Sequence, residues 1–200
     1  MTTLAKSPIP ERPERLFTVQ EYLRMVAAGI LNKRDKVELI EGRIVKKMAT
    51  DPPHVLVLEM VCDLLKKACD PGWIVRVDSP LTLEKSAPEP DAMVIRGPRE
   101  LYRKQHPVAS DVLLVVEVSD STLREDRNEM AQLYGGARIP TYWIVNLQDR
   151  RLEVHTEPSG PSAAPTYRRK IDIEEEGTVA LQFPGGTLVQ FAVREMFPPQ

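Results

Sequence analysis

Cysteine is scarce in this sequence, and so are long apolar runs and any excess of one charge. The two cysteines, Cys62 and Cys69, stand seven residues apart in a stretch of helical periodicity, which sets their backbones ~10 Å apart, too far for a mutual disulfide. They also lack zinc-ligand spacing, so they read as small core residues of a chain in a reducing compartment. No apolar run approaches the ~20 residues of a membrane span, and MTTLAKSPIPERPER at the start has no apolar core of the secretory type. The expected location is therefore cytoplasmic, with no membrane partner. A formal net charge of −2 sets aside the uniformly basic kind of nucleic-acid binder and leaves local patches to carry any such role.

What is present suits a single domain. Two hundred residues, 42% hydrophobic and 28% charged, can bury a core without staples. Residues 1–15 carry three prolines and little apolar content, which predicts a flexible N-terminal arm ahead of one domain over 16–200. Thr18 and Glu21 form a capping box, Phe17 and Tyr22 a hydrophobic staple, and Gly29 a stop, predicting a helix over 19–28. VELIEGRIVKKM reads as two strands about Glu41-Gly42. Val55, Leu58, Cys62, Leu65 and Cys69 recur at helical spacing until Asp70-Pro71-Gly72.

Four strand candidates follow, at 73–77, 81–83, 92–95 and 112–118, separated by turn residues. A second long helix over 123–134, capped by Ser121 or Thr122, stops at Gly135-Gly136. TYWIVN, from Thr141 to Asn146, is a buried strand, and LQDR turns it into 152–156. The remainder reads as short strands and loops ending in LVQFAVREMF. The strands between the two main helices lie too close in sequence for parallel crossovers. The expected fold is thus an α/β (α+β) sandwich, with a mixed, mainly antiparallel sheet flanked by helices.

Two carboxylates break this pattern. Asp91, in APEPDAMVI, is fixed between a proline and a strand; Glu117, in DVLLVVEVSDST, interrupts a run of fully buried character. Antiparallel pairing of the two strands brings both acids to one end of the sheet, with ~4.8 Å between strands. By alternation Glu117 shares a face with Leu113 and Val115. Buried together, two carboxylates are costly unless a cation joins them, and Mg²⁺, which takes one or two carboxylates and fills its octahedron with water and phosphate, suits them. Structural alternatives stay open: an ion pair of Glu117 with Arg124 or Arg127, and a turn-closing role for Asp91. RGPRELYRKQH supplies Arg96, Arg99, Arg103 and Lys104, either a solvated loop or a set of phosphate contacts. Tyr134, Tyr142 and Trp143 read as packing groups rather than base-stacking ones.

VELIEGRIV, the His54 helix, EPDAMVI, LLVVEVSDSTLREDR and LYGGARIPTYWIVN, in that order, resemble the Uma-type family of restriction endonucleases, a branch of the PD-(D/E)XK nuclease superfamily. The resemblance runs from about Phe17 to the C-terminus. It implies a restriction-endonuclease-like core with Asp91 and Glu117 as ligands of Mg²⁺ (or Mn²⁺), Glu38 as an early acid completing the catalytic set, and hydrolysis of DNA phosphodiesters by a metal-activated water. It also implies that a homodimer is possible, since nucleases of this fold often dimerise to cut two strands. His54 matches a position where the family often has His, and a helix-start His also has a purely structural reading. The superfamily lysine two residues after the second acid is Ser119 here. The lysine that the family carries on the next helix, in a D-R-x-x-K pattern, is replaced by Met130 in Asp126-Arg127-Asn128-Glu129-Met130. Arg127 lies about a turn away and could offer charge but not act as a base. Two readings follow from this departure: an Mg²⁺-dependent DNA endonuclease, or a catalytically degenerate relative that serves as a DNA-binding or protein-interaction module.

Overall fold

The computed structural model of the chain describes residues 13–48 and 51–199. Most of the arm expected over 1–15 therefore lies outside the described residues. Within the arm's last residues, Glu14 and Arg15 pair with Arg43 and Glu21.

Local chemistry starts each element where the sequence places its signals. Helix α1 (Val19–Ala27) has the full capping box between Thr18 and Glu21. Strands β1 (Val37–Ile40) and β2 (Arg43–Lys46) form a hairpin whose turn needs positive φ at Glu41 and Gly42, at 46° and 77°, the backbone that a two-residue primed turn demands. Helix α2 (Pro52–Ala68) starts on Asp51, whose side chain accepts from the His54 amide at 3.0 Å, with prolines at its first two positions, where no amide is missed.

The main sheet has six strands in the order β3 (Trp73–Val77), β4 (Ala92–Arg96), β5 (Val112–Ser119), β6 (Thr141–Asn146), β7 (Arg151–Pro158) and β8 (Tyr167–Glu174). Only β5 and β6 are parallel; their crossover is a helical segment of α3 (Leu123–Glu125), a π-helical turn (Asp126–Met130) and α4 (Ala131–Gly136). The remaining neighbours are antiparallel, as the short connections require. A second hairpin, β9 (Thr178–Gln182) with β10 (Leu188–Ala192), leads into a short 3₁₀ turn, Val193–Met196.

Two apolar layers cover the sheet. Val57, Leu58, Val61 and Leu65 of α2, Val179 and Phe191 of the C-terminal hairpin, and Val193 and Phe197 of the turn that follows it pack on one face, against Val94, Val116, Trp143 and Leu152. Leu123, Ala131 and Tyr134 pack on the other, against Met93, Val115, Tyr142 and Ile144. Tyr134, Tyr142 and Trp143 are wholly buried, as their packing role requires. A third, smaller cluster binds α1 to the first hairpin through Tyr22, Leu39 and Ala87.

The structure departs from the sequence reading in three places. Residues 81–83 are not a strand: Leu81 and Leu83 are buried, but only an isolated bridge forms, between Thr82 and Val108. The facing segment carries Pro88 and Pro90, which have no amide to extend a ladder. A bulge shifts register between Val94 and Ile95, which pair with Leu114 and Val112. Leu113 thereby joins the α2 side while Val112 and Val115 face the other, so the simple alternation of Leu113 with Glu117 fails. The second helix is interrupted by the π turn.

That π turn is held by Arg127, which makes two-pronged contact with the fully buried Glu153 of β7. Lys170 and Asn146 also reach Glu153, at 2.8 and 3.1 Å. Burial pushes the Glu153 carboxyl up, but these donors prevail and bring it down to about 2. Removing one partner of such a buried charge is far more costly than its mere exposure. Arg127→Ala is expected to lose about 2–4 kcal/mol in urea unfolding, and Glu153→Gln in the same chain should recover part of it. A loss under ~0.5 kcal/mol would mean that Lys170 and Asn146 hold Glu153 unaided.

Candidate active site

Pro90 has no amide, so the β4–β5 ladder cannot continue past Asp91 by backbone alone. Side chains close it instead. The Asp91 amide donates to Glu117 Oε2 at 3.1 Å, and the Val118 amide donates to Asp91 Oδ2 at 2.8 Å. Both carboxylates are thereby fixed at one end of the sheet, and both are buried.

Each acid also has a partner from one of the flanking layers. His54, in the first turn of α2, meets Asp91 Oδ2 through Nε2 at 2.9 Å; with an acceptor there, Nε2 carries the proton, and Nδ1 is buried without a partner among the described residues. Burial draws the His54 pKa down, but the bond and charge of Asp91 outweigh it and leave it raised. On the other face Tyr134 donates to Glu117 Oε1 at 2.8 Å. Neither Arg124 nor Arg127 pairs with Glu117, and Arg127 is committed to Glu153. Burial first, then the charges of Asp91 and Asp126, push Glu117 well above the ordinary carboxylate range.

A cleft of about 970 Å³ opens over this pair. Its walls are the first hairpin (Glu38, Ile40, Val45, Lys47), the start of α2 (Asp51, His54), Glu89 before β4, and the crossover helix (Asp126, Met130, Leu133). Glu38, the early acid that the family resemblance implies, lines this cleft, with Oε2 accepting from the Glu89 amide at 3.0 Å. Its carboxyl is raised by burial, only partly offset by that bond and by Lys47. Asp126 accepts from Thr122 Oγ1 at 2.8 Å and from Ser119 Oγ, and burial lifts its pKa to about 6 despite those bonds. Ser119, at the superfamily's lysine position, is fully buried and turned to Asp126; Met130, at the family's lysine position, lines the cleft.

The basic loop lies elsewhere. Arg96, Arg99, Arg103 and Lys104 are exposed, and none of them lines the cleft. In an antiparallel pair the connecting loop is at the opposite end from the free strand ends, and the five residues of β4 span ~16 Å. The basic side chains at the cleft are Arg43, Lys46, Lys47 and Lys85 instead.

The donor set is hard oxygen, which suits Mg²⁺ or Mn²⁺ and not a thiolate-loving metal. Asp91 Oδ1 makes no hydrogen bond among the described residues, and Glu117 has no hydrogen-bonded cation among them. No group of three or more His, Cys, Asp or Glu side chains among the described residues is gathered closely enough to hold a metal by itself. The fit is to an ion that takes two carboxylates and completes its shell with water and substrate.

A mixed sheet between helical layers, with a carboxylate pair at the end of one antiparallel strand pair, is the architecture of a nuclease-fold protein. Residues 19–188 match the Uma2 family, described as "Putative restriction endonuclease", and the chain belongs to that family. A solved structure described as "a putative nuclease belonging to DUF820", from Anabaena variabilis, shares the fold with a TM-score of 0.64 over 90% of this chain and 97% of that one, at 14% identity. No curated protein matches the chain. No helix among the described residues is long and apolar enough to cross a membrane.

The raised Glu117 pKa has a stability consequence. Below about pH 4.5 the group is protonated in both folded and unfolded chains; above it the unfolded chain ionises first, so Glu117 costs stability as pH rises. A glutamine can keep both bonds, with its oxygen on the Asp91 amide and its amide on the Tyr134 hydroxyl. Without divalent ions, Glu117→Gln should melt above wild type at pH 8, with the gap closing toward pH 4.5. Equal melting temperatures at pH 8 would mean that the charge is carried there without cost.

Proposed function

We propose that the chain is a divalent-cation-dependent DNA endonuclease. The observation that carries this reading is the pair Asp91 and Glu117, joined at the end of β4–β5 and opening into the cleft, in a member of this family. Asp91 and Glu117 would hold Mg²⁺ or Mn²⁺, and Glu38 would act from the hairpin wall. The bound ion would supply Lewis-acid charge that polarises phosphate and lowers the pKa of water.

The chain's own groups do the rest. A water oxygen forms a bond to phosphorus while the bond to one ester oxygen breaks, giving a phosphate monoester and a sugar hydroxyl. The water's proton must leave and the departing oxygen must gain one. Carboxylates committed to an ion would be poor bases, whereas Glu38, outside that pair and held up by burial, is better matched to accept a proton near neutrality. His54 orients Asp91 from one layer and Tyr134 orients Glu117 from the other, which fixes the two acids before substrate arrives. Arg43, Lys46 and Lys85, which line the cleft, would meet phosphates; Arg96, Arg99, Arg103 and Lys104 would be reached only by a nucleic acid running ~16 Å further along the sheet.

A second reading is favoured by Ser119 and Met130. With neither lysine position filled, the same site would bind metal and nucleic acid without cutting. Supercoiled plasmid incubated with wild type and Glu117→Ala, in Mg²⁺ and in Mn²⁺, separates the two. Nicking by wild type that falls at least ~100-fold in Glu117→Ala is expected for the nuclease. Linearisation without accumulated nicks would favour a homodimer cutting both strands. A silent wild type that still binds Mn²⁺ through Glu117 would favour the degenerate reading.

A further inference from the structure

Three cationic positions bear on the Asp91–Glu117 pair. Position 119 is a buried serine whose hydroxyl is committed to Asp126, and position 130 is a methionine. The third is Lys47, just past β2 in the hairpin wall of the cleft. Its amide donates to the Lys36 carbonyl at 2.8 Å, which extends the hairpin by one residue and fixes where its side chain starts. That side chain is 25% exposed, and its Nζ donates to the Glu89 carbonyl at 2.6 Å. The Glu89 amide in turn holds Glu38. Asp78, whose carboxylate is 3.8 Å from Nζ, donates its amide to the Asp91 carbonyl.

Lys47 is thus tied on both sides to backbone adjoining Asp91 and projects into the cleft that Asp91 and Glu117 floor. An ammonium there is partly desolvated, has donors left over after Glu89, and shares the cleft with Met130. The groups that face it are Glu38 from its own hairpin, Asp78 and Glu89 from the segments flanking β3 and β4, Asp91, His54 from α2 and Glu117 from β5. Burial pulls its pKa down, but Glu117, Asp91, Asp78 and Glu38 more than offset this, so it remains charged at neutral pH.

We propose that Lys47 is the working lysine of this site, supplying from the β2 end the cation that Ser119 and Met130 do not supply from β5 and the crossover helix. Protonated, it cannot take the proton from the attacking water; it donates to a phosphate oxygen as negative charge builds at phosphorus, and its charge orients the water. The assignment rests on the nuclease reading and specifies how this chain meets the family's requirement with a different residue. It also accounts for an apolar Met130 in a cleft rich in carboxylates: with Lys47 in the same cleft, a second lysine is not needed to balance them.

The test compares wild type, Lys47→Met, Met130→Lys, the double variant Lys47→Met/Met130→Lys, and Glu117→Ala. Plasmid nicking in Mg²⁺ is read beside Mn²⁺ affinity by electron paramagnetic resonance and melting temperature. Lys47→Met is expected to slow nicking roughly 10- to 1,000-fold, while Mn²⁺ binds as tightly as in wild type or tighter, because a competing cation has gone. The double variant should regain much of the loss, since it restores a lysine at the family's position. Nicking by Lys47→Met at the wild-type rate, or loss of Mn²⁺ binding in step with activity, would overturn the role given to Lys47 while leaving the nuclease reading intact. A wild type that does not nick, yet binds Mn²⁺ through Glu117, would overturn both Lys47's role and the activity while leaving the metal site. Mn²⁺ binding indifferent to Glu117→Ala would remove the site itself.

Discussion

The bond from the Asp91 amide to Glu117, returned by the bond from the Val118 amide to Asp91, closes the β4–β5 ladder with carboxylates where Pro90 prevents backbone pairing. This exchange serves two needs at once. It satisfies amides that would otherwise be orphaned at a buried strand end, and it forces two acids into one small volume. Everything nearest the pair answers that second consequence. His54 comes from one layer, Tyr134 from the other, and Lys47 from the hairpin that roofs the cleft. None of these elements could be moved far without leaving a buried charge uncompensated.

The cleft's electrostatics follow from the same constraint. Carboxylates outnumber basic groups among its lining residues, so a phosphodiester approaching the cleft would be repelled unless cations offset the acids. Glu117, Glu38 and Asp126 are all raised by burial, and mutual repulsion adds to it. A divalent ion and a fixed ammonium would be complementary answers to this repulsion: Asp91 and Glu117 would hold the first, and Lys47 would offer the second to a substrate oxygen. The apolar part of the wall, with Ile40, Val45, Met130 and Leu133, keeps water from diluting either effect.

The crossover helix shows how the scaffold and the site are coupled. Its π turn puts Asp126 within reach of Ser119 and Thr122 and leaves Met130 on the cleft. An extra residue in a helical turn has a cost, and such turns recur at functional sites. Here the turn is clamped from outside by Arg127 on Glu153 and, one turn on, by Gly135, where a Cβ would come within 2.9 Å of the Thr166 backbone. The arginine that could have been read as a charge for the site is instead a structural anchor on the far side of the helix.

Local chemistry wrote much of this protein legibly. The capping box at Thr18, the turn at Glu41-Gly42, the paired prolines opening α2 and the period of the buried strands act over a few residues, so the sequence alone determined where those elements lie and that Asp91 and Glu117 share one sheet end. The failure of 81–83 to join a sheet follows from Pro88 and Pro90 in the segment that faces it, whereas the bulge at Leu113 and the π turn at Asp126–Met130 depend on partners distant in sequence, and no local pattern announces them. The same holds for the charges. Arg96, Arg99, Arg103 and Lys104 stand close to Asp91 in sequence but an entire strand away in space, whereas Lys47 stands 44 positions before Asp91 in the chain and shares its cleft. Spacing along the chain fixes what a residue can do within one element. Which charges face one another is a property of how the elements fold together, and only the tertiary structure decided it.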